Sequence, residues 1–204
     1  MSELVVYSTN GDYIETNDAT YSIARAGSGE FINAYSPNSS LNVGQNIGFQ
    51  CWEGFCDFDT SALGSGASIS AAVLSLYVNT DNSLTDFTAT AALRAWGADL
   101  AIADFVAGAS LSALTTVATL ASSGVTSNAY NDFTDVALPA NIDKTGNTRL
   151  LIYSSRHSGN NTPTTDEHLG FYGSAHVVFK PRITITYTGG GGSGTTTQSH
   201  QMML

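Results

Sequence analysis

Arg182-Ile183-Thr184-Ile185-Thr186-Tyr187-Thr188 alternates large apolar side chains with threonine, one after the other, for seven residues. Successive side chains on a strand point to opposite faces. The stretch therefore reads as a strand with Ile183, Ile185 and Tyr187 on a buried face and the threonines in water. Residues 69–79 repeat the pattern, with Ala72, Leu74, Leu76 and Val78 on one face. Residues 148–154 are apolar on both faces (Leu150, Leu151, Ile152, Tyr153), as expected of a central strand covered on both sides.

Shorter strands are expected over residues 4–8, 21–25, 31–35, 47–52, 55–59, 87–96, 115–121, 130–136 and 169–172. Turn chemistry separates them: Asn10-Gly11, Ser36-Pro37-Asn38, Gly64-Ser65-Gly66, Thr80-Asp81-Asn82 and Lys144-Thr145-Gly146-Asn147. Residues 100–106 and 139–143 suit one or two short helical turns. Many short strands at fairly even spacing indicate an all-β antiparallel sandwich of jelly-roll type.

Composition agrees. Charged residues make up only 12% of the 204, and hydrophobic residues 42%. That is enough apolar content for one real core and too little charge for a disordered chain. Seven basic side chains stand against 17 acidic ones, a net charge of -10. Without a Lys/Arg cluster there is no counterion release to draw on, so nucleic acid and anionic membrane surfaces are not expected partners. Met1-Ser2-Glu3 opens the chain without a basic, apolar leader pattern, so export through a secretory signal is not expected.

The chain divides into a β-sandwich (1–188), a Gly-rich linker (189–194) and a C-terminal arm (195–204). Gly-rich linkers are flexible. The arm ends Gln201-Met202-Met203-Leu204, whose pliable apolar side chains suit docking into a partner.

Candidate chemistry is sparse. Asp57 and Asp59 share a face of one strand with Cα atoms about 7 Å apart, a spacing open to a calcium site or an acid pair. The competing reading has Asp59 cap the turn through Thr60 and Ser61. His157 and His168 flank a polar loop with Ser158 and Asp166, but no nucleophile elbow accompanies them. Arg156 and Glu167 are expected to pair across the base of that loop, a structural brace. Trp52 and Trp96, with Tyr130 and Tyr153, offer rings for saccharide stacking; core packing is the alternative. Cys51 and Cys56 point to opposite faces of an extended strand roughly 17 Å apart, beyond disulfide reach unless the chain reverses near Gly54. No zinc ligand set, phosphate loop or dinucleotide fingerprint occurs, so no cofactor and no enzymatic activity are expected.

Phe55-Cys56-Asp57-Phe58-Asp59-Thr60-Ser61-Ala62-Leu63, then Ala67-Ser68-Ile69-Ser70-Ala71-Ala72-Val73-Leu74-Ser75-Leu76-Tyr77-Val78, resembles the strand–turn–strand segment of DNRLRE-type β-sandwich domains. Ser155-Arg156-His157 through Asn160-Asn161-Thr162-Pro163 to Glu167, then Phe171-Tyr172 and Lys180-Pro181-Arg182, resembles that family's closing region. Asp12-Tyr13-Ile14 and Ser39-Ser40-Leu41-Asn42-Val43-Gly44 are similar to its opening strands. The resemblance is one of pattern, since the six-residue motif in the family's name does not occur in the chain. It implies a jelly roll. It also implies one of two settings, because such domains occur as stand-alone bacteriophage products and as carbohydrate-binding modules of secreted enzymes. The expectation is a virion structural protein (capsid decoration, head-fibre or tail-associated). It would be oligomeric, located in the virion and bound to other virion proteins through its arm. A glycan-adhesion module is the alternative.

Overall fold

The computed structural model describes residues 1–190. The predicted docking residues Gln201, Met202, Met203 and Leu204 lie outside the described residues. In chain order the strands are β1 (Ser2–Tyr7), β2 (Asn10–Asn17), β3 (Phe31–Tyr35), β4 (Ser40–Gln45), β5 (Gln50–Asp59), β6 (Ala67–Ser83) and β7 (Thr88–Leu93). They continue with β8 (Thr116–Ala121), β9 (Ala129–Asp132), β10 (Thr134–Asp135), β11 (Asn147–Ser154), β12 (Glu167–Tyr172) and β13 (Arg182–Gly189). Two short helices, α1 (Tyr21–Arg25) and α2 (Ser155–Ser158), interrupt them. Among the described residues no helix is long and apolar enough to cross a membrane.

Every strand pairing is antiparallel. One curled network results, and it folds on itself as a jelly-roll-like sandwich. One half runs β3-β2-β5-β11-β7-β8-β10 and the other β1-β13-β6-β12-β4. A two-residue contact, Gly44 with Trp52 and Gln45 with Cys51, joins the halves. Cys56, Phe58, Leu150 and Ile152 of the first half pack on Leu41, Leu74, Leu76, Phe171, Ile183 and Ile185 of the second. Each such side chain contributes about 1.5–3 kcal/mol relative to exposure.

The central strands of the first half, β2, β5, β11 and β7, are buried on both faces. Their outer side (Ile14, Phe55, Leu151, Tyr153) lies beneath Trp96, Leu100 and Leu111 of the long 94–115 segment. Short 3-10 turns at Ile102–Asp104 and Pro139–Asn141 sit where brief helical turns were expected.

Four expectations change, the first being that Asn10-Gly11 is not a turn but opens β2, laddered with Asp57 and Cys56 of β5. Residues 21–25 form a helix, not a strand: Tyr21 and Ala24, spaced i and i+3, are its buried positions. In so short a stretch the Tyr-x-Ile-x-Arg alternation cannot be told from that spacing. Residues 47–52 and 55–59 are not two strands. β5 runs straight through Gly54, where a Cβ would lie 2.6 Å from Leu41 Cδ2. The straight run keeps Cys51 and Cys56 apart as free, buried thiols. Thr80-Asp81-Asn82 belongs to β6, not to a turn.

The sandwich has two ends. Gly189 pairs with Ala67 at one end of β6, the proximal end where the chain leaves towards the arm. Glu167 pairs with Ser83 and with Gln45 at the other, distal end. Seventeen residues of strand separate them, roughly 50 Å of chain.

Candidate functional site

The distal end holds the densest cluster of buried polar side chains. Glu167, at the start of β12, is fully buried. Its Oε2 accepts from Arg156 Nε at 2.5 Å and from Gln45 Nε2 at 2.7 Å. Gln45 Oε1 accepts in turn from Tyr21 Oη at 2.7 Å, and Gln45 Nε2 also donates to the Asn161 carbonyl at 2.7 Å. The chain Tyr21–Gln45–Glu167–Arg156 ties α1, β4, β12 and α2 together. Arg156 is placed by the cap of its helix, where Ser154 Oγ accepts from the Arg156 amide. The structure thus brings Arg156 and Glu167 together across the base of the 158–166 loop.

Beside this brace, His157 and Glu53 are both fully buried, with Nδ1 and Oε1 3.9 Å apart. Neither of those two atoms has a hydrogen-bond partner. Burial pushes the His157 imidazole down to about 4 and holds the Glu53 carboxyl well above its ordinary range. His157 is therefore neutral near pH 7, so its contact with Glu53 is not an ion pair. Glu53 Oε2 accepts from the Val106 amide at 2.9 Å. Arg25 clamps the other side, donating to the His157 and Ser158 carbonyls at 2.7 and 2.8 Å.

His157 thus faces Glu53. Ser158 Oγ donates to Ser155 O of its own helix, and Asp166 O accepts from the Leu84 amide. His168 is elsewhere, tilted against Trp52 at 4.9 Å with Nε2 3.1 Å from Asn82. The sequence reading did not single out Glu53, Gln45 or Tyr21. The signal for Glu53 was present, a lone acid inside the apolar strand Cys51-Trp52-Glu53-Gly54-Phe55-Cys56.

Asp57 and Asp59 look to different partners. Asp57, buried, accepts from Asn147 Nδ2 at 2.6 Å and Arg149 Nε at 3.0 Å. Arg149 also donates to the carbonyls of Trp96 and Gly97. Asp59, exposed, accepts from the Ser61 amide at 3.1 Å and hydroxyl at 2.5 Å; these bonds lower its pKa. It is a turn cap, and the shared calcium or acid-pair reading does not fit carboxylates engaged in this way. Among the described residues no group of three or more His, Cys, Asp and Glu side chains could hold a metal ion.

Asp12 is a third buried carboxylate. It accepts from the Asn38 amide and from the amide and hydroxyl of Ser174 at 2.6 and 2.9 Å. Burial outweighs these bonds and raises its pKa to about 6. Its φ of +113° is a conformation that side chains rarely adopt, held here by the bonds to two distant loops.

The stacking residues expected from sequence are corrected. Trp52 and Trp96 are each only 7% exposed. Trp52 packs on His168, while Trp96 meets Phe55 edge-on at 5.4 Å and lies under the Arg149 guanidinium. Large rings bury more area in the core than they could on a surface, and neither face is left for a sugar. Tyr153 is buried with them.

A different aromatic group lies on the outer face of the second half. β12 and β13 follow one another along the same edge of β6, because β9 occupies the opposite edge at both Ser75 and Val78. The 173–181 segment between them folds back over the sheet. His176 stacks on Tyr172 at 3.8 Å and Phe179 on Tyr77 at 4.1 Å; Tyr130 closes the group under the Arg182 guanidinium. Val177 and Val178 at its tip are 74% and 63% exposed. In comparisons with known proteins, no family model and no curated protein matches this chain.

Proposed function

We propose that the chain is a non-enzymatic structural subunit of a bacteriophage virion, a capsid decoration, head-fibre or tail-associated protein, held to other virion proteins through residues 195–204. The observation that supports it is the use made of the buried acids. Asp12 and Glu167 each brace two separate segments, Asp57 ties β5 to β11, and Glu53 accepts a backbone amide. General acid–base chemistry needs a titrating group within reach of a substrate. These groups sit inside the scaffold as fixed struts, which suits a rigid building block. The pattern resemblance to DNRLRE-type domains supplies the bacteriophage setting.

Mass spectrometry of particles purified from the host that carries the gene tests the reading. The expected outcome is the chain present at a fixed copy number per particle. Its absence from intact, infectious particles would end the proposal. The glycan-adhesion alternative has lost Trp52 and Trp96 as carriers. It would have to work through Tyr172, His176 and Phe179, whose rings are largely spent on one another.

A further inference from the structure

Strand β1 is an open edge. One side pairs with β13 in an unbroken register from Ser2 with Tyr187 to Tyr7 with Arg182. The other side meets no strand among the described residues. Open edges template pairing with another chain, and proteins commonly blunt them with Pro, Lys, a bulge or brevity. Other edges here are blunted: β10 has two residues, β9 has four, and β3 runs into Ser36-Pro37. β1 has six residues and none of these devices.

Its side chains alternate cleanly. Leu4 and Val6 pack against the main core, so Glu3, Val5 and Tyr7 face outward. Val5 and Tyr7 are 39% and 41% exposed. We propose that β1 is a self-association surface, on which β1 of a second copy adds antiparallel about a two-fold axis at Val5.

In an antiparallel pair, directly opposite residues share a face, which restricts the register. The axis at Val5 sets Val5 against its own copy, Leu4 against Val6 and Glu3 against Tyr7. Apolar meets apolar on both faces, and the carboxylate meets a phenol. No like charges are juxtaposed, and the contact is isologous as a two-fold interface requires. An axis at Leu4 instead puts Ser2 against Val6 and Glu3 against Val5, wasting both polar groups. Strand addition of this kind draws affinity from the main chain and specificity from alternate side chains. The net charge of -10 on each copy opposes association at low salt and is screened over about 8 Å at physiological ionic strength. The inference does not depend on the virion setting.

Sedimentation of the full chain over a dilution series tests it. The expected result is a monomer–dimer equilibrium that strengthens from low to moderate salt. Val5→Lys, which sets two ammonium groups face to face, should raise the dissociation constant about tenfold or more, ~1.4 kcal/mol. Val178→Lys, exposed elsewhere, should leave it unchanged. Antiparallel partners lie about 4.5–5.5 Å apart at Cα, inside the disulfide range. Oxidised Val5→Cys should therefore form a covalent dimer that Val178→Cys does not. A monomer at all concentrations would overturn the proposal. So would a dimer indifferent to Val5→Lys, a Val5→Cys chain that fails to cross-link, or association that weakens as salt is added.

Discussion

At the scale of single residues, two buried groups make opposite contributions to the pH dependence of stability. Asp12 is raised from 3.8 to about 6, so the folded state binds its proton more tightly than the unfolded chain does. The stability it contributes is present below pH 3.8 and is lost as pH rises through about 6. His157 is lowered from 6.5 to about 4, so the unfolded chain binds more protons over that interval. Stability from this group is gained as pH rises from 4 to 6.5. Each effect is worth about 3 kcal/mol and they largely mask one another. Glu53, raised by its own burial, adds to the Asp12 sense. Urea unfolding from pH 4 to 7 should separate them. Relative to the native sequence, Asp12→Asn should gain stability with rising pH, and His157→Gln should lose it. Parallel curves for both variants would show that neither group titrates differently on folding. The Arg156–Glu167 brace was legible in the sequence because opposite charges flank one polar loop. The Glu53–His157 contact was not, because 104 residues separate its members. Only the curl of the sheet brings them together.

At the scale of elements, alternation exposed most strands, and β13, β6 and β11 stand where it placed them. It was silent on β2 and β4 and misleading on β5, for related reasons. All three contain a glycine that reads as a break but serves close packing. Gly44, with φ +131°, is paired with His168 of β12 on one edge and with Trp52 of β5 on the other. A Cβ there would sit 2.2 Å from the Glu167 carbonyl and 2.6 Å from His168 Cα. Both obstacles are backbone and cannot swing aside. Gly44→Ala should therefore cost about 3 kcal/mol or more, as overpacking and a forbidden φ combine. In a domain of this size that lowers the melting temperature by roughly 6–12 °C. Gly124→Ala, with nothing within 4 Å of its Cβ, should leave melting unchanged. Equal melting of the two variants would mean that the junction between the halves yields freely. Helix α1 stayed hidden because five residues are too few to display a period.

At the scale of the whole molecule, the proximal and distal ends differ in kind. The proximal end carries Gly189 and the departing chain, while the distal end carries the braced carboxylates and exposes Ile47 and Leu84, 62% and 76%. Removing residues 191–204 should leave the melting temperature unchanged within about 2 °C, since a change of that size corresponds to under 1 kcal/mol in a domain this large. Under the proposed function, the same cut should weaken attachment to other virion proteins. A larger loss of melting temperature would assign those residues to the fold, and undiminished attachment would show that the arm is idle. The course of β13 carries a mechanical consequence. Its last residue meets the first of β6, so a tether on the arm and a load on the distal loops pull along the strands, not across them. The rungs joining β13 to β6 and β1 then share that force in shear and must yield together. A pull between the arm and Ser2, whose partner is Tyr187, would instead open β1 like a zipper, one rung at a time.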